Sequence, residues 1–302
     1  MRTIREKRAL VTGAASGIGR AIALELAGEG ANLFVVDINT EELAETVAAC
    51  QLLGAEVVGR PCDVSQPDDI SAVVEDVLDD WGGIDLLVNN AGITYYGHTH
   101  RMADAHWDRL LQVNLHAHIQ FTRKLLPVML EQSEAHVVNI CSMFGLVGMP
   151  KLAAYCVSKF GLVGFSESLR NEYGRDGLGV TTICPGFVDT RLFTNGPLHK
   201  DVAEHKIPPK ILCTTAEKVA RATIRAIRHN RRMVVIEPFA RGLVATKRFL
   251  PGLLDFVFHL GRNRRLRKKA IRLRQRSAPA TFTPGVHSSV DGTRDVGQKR
   301  AA

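Results

Sequence analysis

The 302-residue sequence is 45% hydrophobic and 23% charged, an ordinary globular composition that excludes a collagen-like or wholly disordered chain. Its formal net charge of +8 conceals an asymmetry: residues 1–220 carry 19 Lys+Arg against 27 Asp+Glu, and residues 221–302 carry 20 against 4. An acidic body is followed by a strongly basic end.

Short runs rich in Val, Ile and Leu alternate with longer helical patterns. Strands are expected over 9–13, 32–38, 56–64, 84–92, 135–142 and 180–185, with a seventh over 233–237. The first six are dominated by uninterrupted Val, Ile and Leu rather than strict alternation, as for strands covered on both faces. Helices are expected over 18–29, 41–53, 68–81 and 152–175. This alternation predicts an α/β fold built on a single doubly wound parallel sheet of about seven strands. Composition then divides the chain into a doubly wound, Rossmann-like domain over 1–238, an apolar-basic, helical C-terminal extension over 239–276, and a Ser/Pro/Gly-rich tail over 277–302. That tail is too poor in apolar residues to fold alone and is expected to be disordered.

The first strand closes in Thr12-Gly13-Ala14-Ala15-Ser16-Gly17-Ile18-Gly19 and runs directly into a helix. Glycines at such a turn let the backbone bend sharply, and a pyrophosphate can then approach the N–H groups at the start of the helix. The turn implicates Gly13, Ser16, Gly17, Ile18 and Gly19 in holding a dinucleotide. The second strand ends at Asp37, 18 residues past Gly19. A carboxylate there accepts hydrogen bonds from an adenosine ribose and repels a 2′-phosphate. Ile38 and Asn39 supply no cation to offset that repulsion, so NAD is favoured over NADP. The competing reading makes Asp37 a residue of the next helix's N-terminus, ahead of Asn39-Thr40-Glu41.

Further along, Tyr155 and Lys159 stand four apart on one helix, so phenol and ammonium share a face. A fixed cation favours the phenolate and brings the phenol toward proton exchange with an alcohol or carbonyl. Ser142, at the end of the preceding strand, adds a hydroxyl at the sheet edge where ligands of this architecture bind.

Together these motifs resemble the short-chain dehydrogenase/reductase family. The resemblance covers roughly residues 7–238: the glycine turn at 12–19, Asp63-Val64, Asn89-Asn90-Ala91-Gly92, Asn114, Ser142, Tyr155, Lys159, and Pro185-Gly186 through Thr190. It implies hydride transfer between NAD(H) and an alcohol or ketone. Tyr155 would be the acid/base, Ser142 would hold the substrate oxygen, and Lys159 would lower the tyrosine pKa and bind the nicotinamide ribose. Asn114 would hold a water linking Lys159 to solvent. Asp63 and Val64 would border the adenine, and Asn90 would brace the sheet and cofactor pocket. Val188 and Thr190 would fix the carboxamide. The family also implies a homodimer or homotetramer and a substrate lid over about 191–213.

Tyr95, Tyr96, Met143, Phe144, Met149, Phe187, Leu192 and Phe193 are candidates for an apolar substrate wall. They favour a hydrophobic secondary alcohol or ketone such as a steroid, retinoid or long-chain compound. Arg191, His199 and Lys200 are possible clamps for an anionic group. Alternatives are a 3-oxoacyl-carrier-protein or acetoin-type reductase, or a cofactor-binding scaffold tethered to a membrane or nucleic acid. Gly-x-Ser-x-Gly is absent around Ser158, which argues against a hydrolase elbow. His98, His100, His106, His116 and His118 form no HExxH pattern, and no metal site is expected.

Cys50, Cys62, Cys141, Cys156, Cys184 and Cys213 show no CxxC pair and read as buried reduced thiols. The charged opening stretch runs straight into the first strand, which argues against a cleaved signal peptide. No run reaches the roughly 20 apolar residues of a membrane span. Residues 262–276 contain nine Lys+Arg behind an apolar stretch, a pairing suited to an anionic membrane surface. A cytoplasmic enzyme with peripheral membrane contact through 239–276 is therefore expected, ahead of helix packing against the acidic body or another subunit; nucleic acid is the least favoured partner.

Overall fold

A computed structural model describes residues 1–192 and 212–259. Phe193, His199 and Lys200, most of the expected lid and the basic run at 262–276 lie outside the described residues. The chain divides after Pro251, so residues 239–251 belong to the same unit as the sheet.

Seven parallel strands form that sheet in the order β3-β2-β1-β4-β5-β6-β9: β1 Arg8–Thr12, β2 Asn32–Asp37, β3 Val57–Pro61, β4 Leu86–Asn89, β5 Ala135–Ile140, β6 Leu178–Cys184 and β9 Met233–Val235. β1 pairs with both β2 and β4, Val11 lying opposite Val35 on one side and Val88 on the other. The strand order reverses at this point, which opens a crevice beyond the carboxyl ends of the strands. A two-residue parallel pair, β7 (Phe187–Val188) with β8 (Cys213–Thr214), lies apart from the main sheet.

Residue alternation along the strands divides the core between the two faces. Ala9 and Val11 pack with Ile22 and Leu26 of α1 (Gly17–Gly28) and with Val219 and Ile227 of α7 (Ala216–Arg228). Leu10, Phe34 and Leu87 point the other way, onto Ile70 and Val77 of α3 (Pro67–Trp81) and Phe121 and Leu125 of α5 (Ala117–Leu130). Local signals set the helix ends. Pro67 opens α3, Asp68 and Asp69 lie in its first turn, and Gly82 ends it in the left-handed region at φ 63°. In α2 (Thr40–Leu52), the Asn39 side chain accepts from the Glu42 N–H at 3.2 Å. That is the capping role the sequence allowed for Asp37.

One strand departs from expectation. β3 was grouped with strands covered on both faces, but no residue of it is buried. It is the sheet edge, where Arg60 pairs with Asp76 and where Pro61, which lacks an N–H, is tolerated. Five of the six cysteines are buried, Cys213 is half-buried, and all six are free thiols.

Candidate active site

Two glycines shape the turn after β1. Gly13 takes φ +66°, and a Cβ there would sit 2.8 Å from the Ala91 Cα. A Cβ on Gly19 would collide with the Gly13 carbonyl oxygen and with Asn90 Nδ2. Only a bare backbone lets α1 start this close to the strand ends. Asn90 Nδ2 donates to the carbonyls of Thr12 and Gly13 at 2.9 and 3.0 Å. Thr12 Oγ1 accepts from the N–H groups of Asn90 and Ala91. The turn is thereby tied to the end of β4. Ser16 precedes α1 in an extended conformation and makes no side-chain cap, so the first N–H groups of α1 face the crevice without that partner.

Asp37 Oδ2 accepts from the Ala15 N–H and Oδ1 from the Asn39 N–H, both at 3.0 Å. The carboxylate is held at the lip of the turn. Asp63 Oδ1 is occupied by the N–H and hydroxyl of Ser65, and its Oδ2 lies 3.6 Å from Arg109.

At the other end of the crevice, Ser142 caps the short turn Met143–Gly145 and accepts from the Phe144 N–H at 3.1 Å. A Cβ on Gly145 would come within 2.7 Å of the Lys159 carbonyl oxygen, so the glycine lets this turn lie against α6 (Ala153–Tyr173). Tyr155 and Lys159, both only 3% exposed, project from α6 toward Ser142 and the end of β5. Lys159 Nζ donates to the Ile140 carbonyl at 2.9 Å and lies 5.9 Å from the Tyr155 ring centre. Burial pushes the Tyr155 phenol above its ordinary pKa, opposed by its hydrogen bond with Ser142. Burial also lowers the Lys159 pKa. Desolvation, rather than the lysine charge, is the largest influence on the phenol.

Asn114 lies in a π-helical turn, Gln112–His116, a local widening that pattern reading does not reveal. Its Oδ1 accepts from the Ile93 N–H and its Nδ2 donates to the Ile93 carbonyl, both at 2.8 Å. Asn114 Oδ1 and Lys159 Nζ both approach Gly92, 3.5 and 3.8 Å from where its Cβ would stand.

A single cavity of about 310 Å³ joins the two ends. Gly13, Ser16, Gly17, Ile18, Asp37, Asp63, Val64, Asn90, Ser142, Tyr155, Lys159, Val188 and Thr190 all line it. Gly19 and Asn114 do not; they support the wall from behind. The lining also includes Arg109, which no motif singled out, and Arg191. A glycine cradle, exposed helix N–H groups and a carboxylate at the far lip fit a dinucleotide in shape and in charge.

Of the expected substrate wall, Leu192 lines the cavity. Tyr95, Tyr96, Met143, Phe144, Met149 and Phe187 cluster with Tyr155. The Phe144 ring lies edge-on to both Tyr155 and Phe187, at 6.5 and 5.9 Å, and Phe187 stacks on Phe239 at 6.3 Å. Phe239, Ala240 and Leu243 come from α8 (Pro238–Phe249), and the latter two join the same cluster. None of Tyr95, Tyr96, Met143, Phe144, Met149 and Phe187 lines the cavity; the start of the C-terminal extension packs into the apolar cluster behind Tyr155. Glu237, just before α8, accepts from the Gly186 N–H at 2.6 Å.

The sequence matches the family model "short chain dehydrogenase" over residues 7–200. The chain belongs to the short-chain dehydrogenase/reductase family. Among curated relatives, retinol dehydrogenase 10-B of Danio rerio is 36% identical over 74% of this chain and 72% of its own length. A putative ketoacyl reductase of Streptomyces coelicolor is 40% identical over 68% and 77%. A solved short-chain dehydrogenase/reductase of Burkholderia phymatum, in complex with NAD, superposes with TM-score 0.75 at 28% identity, covering 84% of this chain and 97% of that one. Oxidoreductases of this family bind a nicotinamide cofactor.

Proposed function

We propose that the protein is an NAD(H)-dependent dehydrogenase/reductase of hydrophobic secondary alcohols and ketones, with Tyr155 as its acid/base. The observation that carries this reading is one cavity with a glycine cradle and Asp37 at one end and Ser142, Tyr155 and Lys159 at the other. A nicotinamide bound between them supplies the two-electron exchange with the substrate carbon.

The chain's own residues orient the substrate and move one proton. Ser142 presents its hydroxyl to the substrate oxygen. Tyr155 takes the alcohol proton during oxidation and returns it during reduction. Lys159, anchored on Ile140, holds positive charge beneath the phenol and reaches the nicotinamide ribose. Asn114 sits with Lys159 beside Gly92 on the proton's route toward water. Val188 and Thr190 fix the carboxamide, and Thr190 lies 3.2 Å from where a Cβ on Gly17 would stand. Asp37 accepts hydrogen bonds from the ribose hydroxyls and its charge opposes a 2′-phosphate; Arg191, the cation that folding brings to this lip, is engaged by Glu42, so NAD is preferred to NADP.

The apolar cluster of Phe144, Phe187, Phe239 and Tyr95 supports a hydrophobic substrate, as does likeness to a relative named for retinol. Screening secondary alcohols and ketones of increasing size by NADH absorbance tests the reading. Turnover of bulky apolar compounds is expected; a strong preference for 3-oxoacyl thioesters would move the assignment to a carrier-linked reductase.

We also propose peripheral contact with an anionic membrane. Phe249, Leu250, Leu253, Phe256 and Val257 are all exposed, Phe249 at 75%, and nine Lys+Arg follow in residues 262–276. Such a pairing favours interfacial binding by roughly 1 kcal/mol per engaged charge. No described helix is long and apolar enough to cross a membrane. In sedimentation with phosphatidylserine vesicles, the full chain should pellet and a Phe249→Ser/Phe256→Ser variant should pellet less. Equal pelleting of both would remove these side chains from the contact.

A further inference from the structure

Two ion pairs stand beside the cavity near Asp37 and Asp63. Arg191 follows β7 and reaches Glu42 in the first turn of α2 in a two-pronged contact, Nη1 to Oε1 at 2.7 Å and Nη2 to Oε2. On the opposite wall Arg109, in the last turn of α4 (Asp104–Leu111), lies 3.6 Å from Asp63, just beyond β3. In each pair the arginine comes from the β4–β7 half of the chain and the carboxylate from the β1–β3 half. The dinucleotide-shaped cavity runs between those halves, and both arginines line it.

We propose that Arg191 and Glu42 form a clasp across the bound dinucleotide, with Arg109 and Asp63 as a second contact on the other wall, so that cofactor release requires the clasp to open. The inference rests on reading the cavity as a dinucleotide site. It gives Arg191 a different task from gripping an anionic substrate. The hydrogen bond from Arg191 holds the Glu42 carboxyl below its ordinary range. The Arg191 pKa is raised first by its hydrogen bond to Glu42, then by the charge of Glu42, with a smaller contribution from Asp37. The guanidinium is therefore held at the same acidic lip that would receive the ribose. A forked guanidinium–carboxylate contact fixes geometry as well as charge, whereas its solvent exposure keeps the effect modest and sensitive to salt.

Stopped-flow displacement of NADH tests this on the full chain. Arg191→Gln and Glu42→Gln should each speed release about two- to five-fold. The double variant should release no faster than either single one. Raising ionic strength from about 0.05 to about 0.5 M should speed release from the wild type more than from the double variant, which keeps only the Arg109–Asp63 contact. The exchanged pair Glu42→Arg/Arg191→Glu should restore slow release. If the wild type binds NADH and the single variants release it at the wild-type rate, the clasp is wrong and the dinucleotide reading stands. Multiplicative effects in the double variant would likewise reject the clasp. If the wild type binds no NADH, both fail together.

Discussion

Lys159 Nζ lies 5.9 Å from the centre of the Tyr155 ring, with its hydrogen bond given to the Ile140 carbonyl rather than to the phenol. The lysine therefore does not touch the phenol, whereas Ser142 hydrogen-bonds it directly. Burial raises the phenol pKa and the Ser142 hydrogen bond lowers it. Oxidation needs the phenolate as base, so kcat/KM for an alcohol should rise with pH. Reduction needs the phenol as acid and should fall as pH rises. Ser142→Ala removes the influence that lowers the pKa, and both profiles should move to higher pH. Profiles left in place by Ser142→Ala would remove Ser142 from the tuning of Tyr155.

Asp37 determines which cofactor fits. Hydrogen bonds to a charged acceptor contribute roughly 1.5–3 kcal/mol, so Asp37→Ala should raise KM for NAD by about 10-fold to 100-fold. It should affect NADP less, because repulsion of the 2′-phosphate disappears with the carboxylate. Steady-state kinetics with both cofactors measure the ratio. A wild-type preference for NADP would reverse the assignment.

The glycine turn separates two kinds of glycine. Gly19→Ala places a methyl group against the Gly13 carbonyl and Asn90 Nδ2. Overpacking of this kind costs about 1–3 kcal/mol. It should lower Tm and weaken NADH binding at least ten-fold, as read by fluorescence titration. Gly164, exposed on α6, has nothing within 4 Å of its Cβ position. Gly164→Ala should instead stabilise the protein by up to about 1 kcal/mol through helix propensity.

Two buried histidines predict acid sensitivity. His118 Nε2 donates to the Ala91 carbonyl, and His136 Nε2 pairs with Thr181 Oγ1, each at 2.8 Å. Burial is the main reason that both pKa values are lowered to about 3. The unfolded chain protonates them near the ordinary 6.5, so it binds more protons than the folded chain between those limits. Their contribution is fully present above about pH 6.5 and is lost progressively as pH falls toward 3. Each histidine should cost about 1.4 kcal/mol per pH unit in that window. Urea unfolding at pH 7, 6 and 5 measures the slope. Stability flat between pH 7 and 5 would show that these rings are already protonated or already exposed.

The features legible in the sequence were those fixed by local chemistry. Apolar runs marked the strands, helical patterning placed α3 over 68–81, and the glycine turn, Asp37, Ser142 and the Tyr155–Lys159 spacing marked the positions that converge on the cavity. What was not legible depends on distant pairing. Pro61 is a local hint that β3 is an edge strand, but its exposure is fixed only by which strands lie beside β2. The π-turn at Asn114 leaves no mark in apolar periodicity. Arg109 and Glu42 look like ordinary charges on helix surfaces until folding sets them opposite Asp63 and Arg191. Phe239 belongs by composition to the basic extension, yet its ring stacks on Phe187 beside the proposed substrate site.

The central claim is that Tyr155 moves the substrate proton in a cavity that also holds the nicotinamide cofactor. Its most direct test is turnover by Tyr155→Phe on the best substrate of the wild type, with NADH affinity measured on the same sample. Loss of acid–base transfer predicts a fall in kcat of about 10²-fold to 10⁴-fold with NADH binding nearly unchanged. Near-normal turnover by that variant would contradict the account.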